Sequence, residues 1–252
     1  GGGDVVEHNL IFNTCRESGD HGPINTWDRQ PFLTTLRDGI TPRFEPIPRV
    51  IANNLIFANY GASQGVDNDD GSSWYHVRNN VFFASEGFKM DYGGHDSIYE
   101  NNLVLAYPYD GQQCVNFGRF FPGRGHRVAN NTCVVGLEGG FEMQRPHRDV
   151  MMGTHQSTLT TQRRQQAVST TMEDAAPEIV VLLEQCRGNN AVLENNSYYT
   201  PSGQATVVCR ERGSISLETL QRDYKLEQGS SCSKIPHATT LLRWADKKLF
   251  PN

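Results

Sequence analysis

The sequence has no apolar run that approaches the roughly 18 residues a helix needs to span a bilayer. It also has no basic block: 23 Lys and Arg stand against 28 Asp and Glu, for a formal net charge of −5. The first absence excludes a helical membrane span, and the second disfavours a nucleic-acid partner. No secretory signal stands at the start, where residues 1–4 lead directly into a β-rich segment. We therefore expect a piece of a longer chain or assembly, with the N-terminal part of its domain missing.

Residues that form turns and β-structure are frequent instead. The chain of 252 residues contains 24 Gly and 12 Pro, its aromatic content is 10%, and 37% of it is hydrophobic. That is enough apolar material for one large core or two ordinary ones. The combination of many turn formers with many aromatics predicts an all-β protein.

A repeated Asn–Asn doublet is the main periodic feature. Each copy precedes a run of β-formers, such as LIFANY or VFFASE, and most intervals lie in the twenties. The doublets lie at residues 53–54, 79–80, 101–102, 130–131 and 195–196, with a degenerate copy around Asn9. A period of this length with β-runs predicts a solenoid. The unequal intervals favour a right-handed parallel β-helix with loops of different length over leucine-rich repeats.

The doublets also predict how the rungs of this solenoid stack. Asparagine side chains at one turn of successive rungs can form a hydrogen-bonded ladder, as they do in cross-β stacks. We expect Asn54, Asn80, Asn102 and Asn131 in one stack, followed by strands that pair in parallel. The alternative is that these residues are ordinary loop asparagines.

The repeat divides the chain into segments. Residues 1–210 are predicted to form the rungs, with residues 144–188 as a loop insertion among them. Residues 211–252 change in character and are predicted to form a cap of short helices and turns, because a solenoid needs its open end covered. Ser216 is the expected helix N-cap of this tail, and Trp244 and Phe250 are expected to pack within it.

A column of carboxylates is predicted on one strand of each rung. Strand alternation makes Asp67, Asp69, Lys89 and Asp91 point outward. The column that results from stacking the rungs contains Asp20, Asp69, Asp91, Asn116 and Glu142. Neighbouring carboxylates repel each other unless a ligand, a metal or a shared proton compensates. The column therefore predicts a functional site, and a solvated acidic face is the alternative.

The stretch DNDDGSSWYHVRNN, followed by GFKMD, resembles the Asp-Asp-Gly-Ser-Ser rungs of right-handed β-helical glycoside hydrolases of the β-xylosidase type, within the pectate-lyase-like superfamily. The resemblance covers residues 65–102. It implies a secreted or cell-surface protein that cleaves a polysaccharide or oligosaccharide, with the nucleophile at Asp69 or Asp70 and the general acid/base at Asp91. Retaining cleavage needs two carboxyls about 5–5.5 Å apart, and strands of neighbouring rungs lie about 4.8 Å apart.

A second polar cluster precedes these acids. It contains Asp20, His21, Trp27, Asp28 and Arg29. A tryptophan beside charged groups can stack on a sugar face while the charges bind hydroxyls. The alternative is that Trp27 covers the core beneath its loop. The remaining residues predicted to bind substrate are Asp67, Lys89, His95, Asn116 and Glu142.

Three other functions remain open. A polysaccharide lyase or uronate epimerase would use Lys89 or His95 to abstract a proton. A non-catalytic protein would bind glycans or form part of an extracellular assembly. A metal could instead stabilise one rung without any activity. No cofactor is predicted as necessary, although Asp67, Asp69 and Asp70 could bind calcium through their oxygens.

Six cysteines suggest disulfides, as secreted proteins have. Cys186 and Cys209 lie about one rung apart and are expected to stack or to bridge. Cys232 could reach Cys209 instead. An interior stack of unbridged cysteines is the alternative.

Overall fold

A computed structural model describes the chain over residues 2–15, 20–28, 38, 41, 47–57, 63–91, 93–106, 113–121, 123–136, 178–187 and 190–251. The strands of these residues are β1 Val5–Glu7, β2 Leu10–Phe12, β3 Ile24–Thr26, β4 Arg49–Ala52, β5 Leu55–Phe57, β6 Val66–Asn68, β7 Tyr75–Arg78, β8 Val81–Phe83, β9 Phe88–Met90, β10 Ile98–Glu100, β11 Leu103–Leu105, β12 Val115–Phe117, β13 Arg127–Ala129, β14 Thr132–Val134, β15 Ile179–Leu183, β16 Val192–Glu194, β17 Ser197–Thr200, β18 Thr206–Cys209, β19 Gly213–Ser216 and β20 Ser231–Lys234. The helices are α1 Leu217–Thr219, which continues into a π-helical turn Leu220–Tyr224, and α2 Ala238–Leu249.

Successive strands enter three sheets in turn. Sheet A has the order β1-β4-β7-β10-β13-β16, sheet B the order β2-β5-β8-β11-β14-β17-β20, and sheet C the order β3-β6-β9-β12-β15-β18-β19. All neighbours in these sheets are parallel except β18 and β19, which are antiparallel. The predicted all-β class is confirmed. The strand order, in which every third strand pairs, is compatible with a β-helical solenoid.

The asparagine doublets form the corner between sheets A and B. The first Asn of each doublet has a φ of 53° to 56°, a left-handed conformation that asparagine tolerates better than most residues. The second Asn donates from Nδ2 to Oδ1 of the next rung: Asn54 to Asn80, Asn80 to Asn102 and Asn102 to Asn131, each at 3.0 Å. The predicted ladder and the parallel pairing are confirmed. The ladder also includes Asn9 and Asn196.

The core consists of inward-facing side chains stacked in register. Val66, Phe88 and Val115 occupy equivalent positions in three neighbouring strands of sheet C and are fully or almost fully buried. The Phe88 ring stacks on Tyr99 at 4.0 Å between centroids. Strand alternation therefore leaves the intervening residues of sheet C on the outer face, where the candidate site lies.

The C-terminal tail adds apolar residues to the core and covers sheet B. Leu217, Leu220 and Leu226 join the core, and Ser216 caps α1 by accepting a hydrogen bond from the Thr219 amide at 3.2 Å, as predicted. The tail then adds β20 to sheet B, and α2 packs through Leu241 and Trp244 on the outer face of that sheet. Phe250 is 71% exposed, so its predicted packing is wrong.

The chain divides into two units, one formed by Gly1–Gly139 with Glu178–Asn252 and one by Gly140–Pro177. Every described residue belongs to the first unit. No helix among the described residues is long and apolar enough to cross a membrane.

Two cysteine pairs lie at disulfide distance. Cys114 pairs with Cys133 and Cys186 with Cys209, with Cα atoms 6.1 and 5.9 Å apart. Cys232 does not reach Cys209, which is already paired. Such pairs are typical of an oxidising, extracellular environment.

Candidate active site

The site is built on strands β6 and β9, which are neighbours in sheet C. Asp67 is aligned with Lys89 across this pair. The backbone hydrogen bonds continue past the strand ends, because the amide of Asp91 donates to the carbonyl of Asn68 at 2.9 Å. Asp69 and Asp91, each two residues beyond this aligned pair, therefore lie one rung apart on the outer face of the sheet.

The structure brings the three predicted catalytic carboxylates together. One oxygen each of Asp69, Asp70 and Asp91 lies within 4.8 Å of the other two. All three residues are half-buried; the side chains of Asp69 and Asp91 are 24% and 35% exposed. Three carboxylates at this separation could hold a cation such as calcium, or could act on a bound substrate. The predicted calcium set of Asp67, Asp69 and Asp70 is corrected, because Asp91 rather than Asp67 completes the group.

The ammonium of Lys89 lies among these acids. Its Nζ is 3.0 Å from Asp67 Oδ1, 3.2 Å from Asp91 Oδ2 and 3.5 Å from Asp69 Oδ1. Burial works to lower the pKa of Lys89, but its hydrogen bond to Asp67 and the three negative charges outweigh burial and hold that pKa well above its ordinary value. Lys89 is therefore a stable cation and is unsuited to abstracting a proton.

Asp67 is fully buried, although strand alternation places it on the outer face. Gly22 lies against it, so closely that a Cβ there would be 2.9 Å from the Cβ of Asp67. Asp67 Oδ2 has no hydrogen-bond partner among the described residues, and Oδ1 contacts Lys89. The prediction that Asp67 contacts substrate is wrong, because no part of its side chain is accessible.

The composition of the predicted column is also corrected. Asn116 is half-buried and aligns with Lys89, not with Asp91. The residue that aligns with Asp91 is Gly118, two positions later in the chain. In the next rung of the column, Leu182 of β15 aligns with Asn116, where Glu142 was expected. Glu142 itself lies outside the described residues. Asp20 is exposed and precedes β3 rather than belonging to it.

Trp27 lies on the N-terminal side of the carboxylates. The amide of Asp69 donates to the Thr26 carbonyl at 2.7 Å, and the amide of Asp28 donates to the Asp70 carbonyl at 2.8 Å, which places Trp27 beside Asp69. Trp27 is 60% exposed, so the alternative that it covers the core is wrong. His21 and Asp28 are exposed as well, and Arg29 lies outside the described residues.

His95, which was predicted to bind substrate, is fully buried and therefore inaccessible to it. Its Nδ1 lies 2.9 Å from Asp96 Oδ2, and its ring contacts Trp74 edge-on at 4.9 Å between centroids. Asp96 also binds Arg124 at 2.5 Å. Burial works to raise the pKa of Asp96, but its hydrogen bond to His95 and the positive charge of Arg124 outweigh burial and lower that pKa. Burial lowers the pKa of the neighbouring His126 to about 3, so this histidine is neutral.

Asp96 and Arg124 were missed by the sequence-based prediction. The pairing of Asp96 with His95 had a signal in the sequence, because the two residues are adjacent and neighbouring side chains at a tight turn can pair. The pairing with Arg124 spans one rung and needs the stacking to be known.

Comparison with protein-family models, with curated proteins and with solved structures finds no match to this chain.

Proposed function

We propose that this protein is a carbohydrate-active enzyme, built as a right-handed parallel β-helix, that hydrolyses a glycosidic bond in a polysaccharide or oligosaccharide. One observation carries the proposal: the carboxylates of Asp69, Asp70 and Asp91, from neighbouring rungs, lie within 4.8 Å of one another on a partly exposed surface. Retaining glycoside hydrolases use two carboxyls about 5–5.5 Å apart, whereas inverting enzymes need a wider separation to admit water. The short separation favours retention.

In this mechanism a carboxylate oxygen of Asp69 or Asp70 attacks the anomeric carbon. The bond from that carbon to the leaving oxygen breaks, and Asp91 gives its proton to the leaving oxygen. Water then attacks the same carbon, Asp91 takes the proton of the water, and the nucleophile is released. Asp69 is held in place as a nucleophile, because its Oδ1 accepts a hydrogen bond from the Asp70 amide at 2.9 Å and lies 3.5 Å from Lys89 Nζ.

Lys89 partly neutralises the acidic cluster. Among the described residues, the carboxyl groups of Asp67, Asp69 and Asp91 contact the ammonium of Lys89, and an oxygen of Asp70 lies close to those of Asp69 and Asp91. In the proposed mechanism Asp91 donates the proton that the leaving group needs.

The lyase or epimerase alternative is less well supported. The raised pKa of Lys89 keeps it protonated, and His95 is fully buried, so neither side chain is suited to take a proton from a substrate. A protein that binds glycans without cleaving them would show no turnover by wild type in the experiment below.

The test is turnover of an oligosaccharide panel by wild type and by Asp69→Asn, Asp70→Asn and Asp91→Asn. Loss of the acid/base Asp91 is expected to lower the rate by about 10²–10⁴-fold, and loss of the nucleophile by at least as much. Asp246→Asn, on the exposed side of α2, is the control and should retain full activity. If Asp91→Asn and both nucleophile variants remain active, the proposed mechanism is wrong.

A further inference from the structure

The ammonium of Lys89 contacts two of the three carboxylates that could share a cation. It contacts Asp91 at 3.2 Å and Asp69 at 3.5 Å, and both residues belong to the group of carboxylates close enough for one metal ion. A calcium ion needs oxygens at about 2.3–2.6 Å. An ion bound by Asp69 and Asp91 together would meet an ammonium that already contacts both.

We infer that Lys89 is the resident cation of this acidic cluster and takes the place that a divalent metal ion would otherwise occupy. The protein therefore binds no calcium at Asp69, Asp70 and Asp91 as long as Lys89 is present. The inference goes beyond the proposed hydrolysis, because it concerns which cation neutralises the cluster and not whether a sugar is cleaved.

Asp67 holds Lys89 in this position. Its carboxylate is fully buried, Oδ1 is 3.0 Å from Lys89 Nζ, and Oδ2 has no hydrogen-bond partner among the described residues. One ammonium therefore contacts three carboxylates: that of Asp67 from the buried side, and those of Asp69 and Asp91 from the partly exposed side. Removing either member of a buried ion pair leaves an uncompensated charge, which is strongly destabilising. Asp67 is thus a positioning residue: it ties the cation to the cluster.

The parallel register explains why the arrangement is stable. Asp67 and Lys89 are directly aligned on neighbouring strands, and Gly22 lies against Asp67. A metal ion can leave by diffusion, whereas a lysine on the adjacent strand is always present.

Calcium titration of two proteins tests the inference. Lys89→Gln alone would leave Asp67 buried without its cation, so the double variant Asp67→Asn/Lys89→Gln is used, in which two amides replace the buried ion pair. Isothermal titration calorimetry with calcium chloride should show no saturable binding by wild type. The double variant should bind calcium in the range of about 10⁻⁴ to 10⁻³ M seen for weak extracellular sites, and its melting temperature should rise with calcium.

Two control variants show whether calcium binds at the acidic cluster or elsewhere on the protein. Adding Asp91→Asn to the double variant should abolish the gained binding, and Lys234→Gln, an exposed lysine on β20, should behave as wild type. A folded double variant that binds no more calcium than wild type would overturn the inference.

If the double variant does not fold, calcium titration of wild type and of Lys89→Arg still tests the inference. Both keep the positive charge, so neither should bind calcium at the cluster. Saturable binding by either protein that Asp91→Asn abolishes would contradict a resident lysine. Because no sugar is used in these titrations, failure of this inference is distinguishable from failure of the proposed hydrolysis.

Discussion

Residues on the same face of a strand have different roles at this site. Asp67 and Asp69 are both directed outward by strand alternation, yet Asp67 is fully buried against Gly22 and Lys89 while Asp69 is partly exposed. The difference arises from what covers each residue and not from the strand itself. Asp67 therefore neutralises and positions Lys89, and of these four aspartates it is Asp69, Asp70 and Asp91 that are accessible to a ligand.

At the same scale, Trp27 is predicted to bind sugar. Because its side chain is 60% exposed beside the carboxylates, Trp27→Ala should weaken glycan binding by roughly 0.5–1.5 kcal/mol beyond the buried area lost. The melting temperature should change little. Calorimetric titration with an oligosaccharide and a thermal melt measure the two effects.

Trp244 provides the matched comparison. It belongs to α2 and packs on Tyr199 of sheet B at 5.3 Å between ring centroids, whereas the acids lie on sheet C. Trp244→Ala should lower the melting temperature and leave glycan affinity unchanged. Equal losses of stability and affinity in Trp27→Ala would mark Trp27 as a structural residue instead.

At the scale of elements, the asparagine ladder joins the rungs along the corner between sheets A and B. Each ladder Oδ1 accepts from both the backbone amide and Nδ2 of the preceding Asn, and the second Nδ2 proton goes to a backbone carbonyl, as from Asn102 to Val77. All amides point the same way, and the last one, Asn196, donates to the buried carboxylate of Glu227. Tyr198 and Ser230 also donate to Glu227, so the ladder ends with every group satisfied.

Removing one member of the ladder should be costly. In Asn102→Ala, two buried donors of Asn80 lose their acceptor, which should lower the free energy of unfolding by roughly 2–6 kcal/mol at about 1–3 kcal/mol per group. Chemical denaturation measures this change. Asn101→Gly is the control: its φ of 56° suits glycine, so stability should be nearly unchanged. Similar losses in both variants would contradict a special role of the ladder.

At the scale of the whole molecule, the parallel sheets and the ladder were predictable because the doublets mark one corner of every rung. The column at the site was predicted less accurately. The segments between sheets B and C differ in length from rung to rung, so a count of residues from the doublet does not give the alignment of strands in sheet C. The count placed Asn116 beside Asp91, whereas backbone pairing aligns it with Lys89, two residues earlier. Proximity of Asp69 and Asp91 followed from the repeat, but the burial of Asp67 and His95 depends on loops whose path the repeat does not determine.

The position of α2 on sheet B had a signal in the sequence. β11 reads Leu103-Val104-Leu105, with apolar residues on both faces, and all three are buried. A strand that is apolar on both faces needs a cover on its outer side. Leu241 of α2 supplies it, so the tail covers a side of the molecule as well as its end.

The configuration of the first product tests the central claim most directly. Wild-type protein is mixed with an oligosaccharide that it cleaves, and proton NMR follows the anomeric signals before mutarotation. Two carboxylates on neighbouring rungs, with oxygens within 4.8 Å, predict that the product first appears with the configuration of the substrate. An inverted product, or a folded protein that cleaves no member of a broad oligosaccharide panel, would contradict the account.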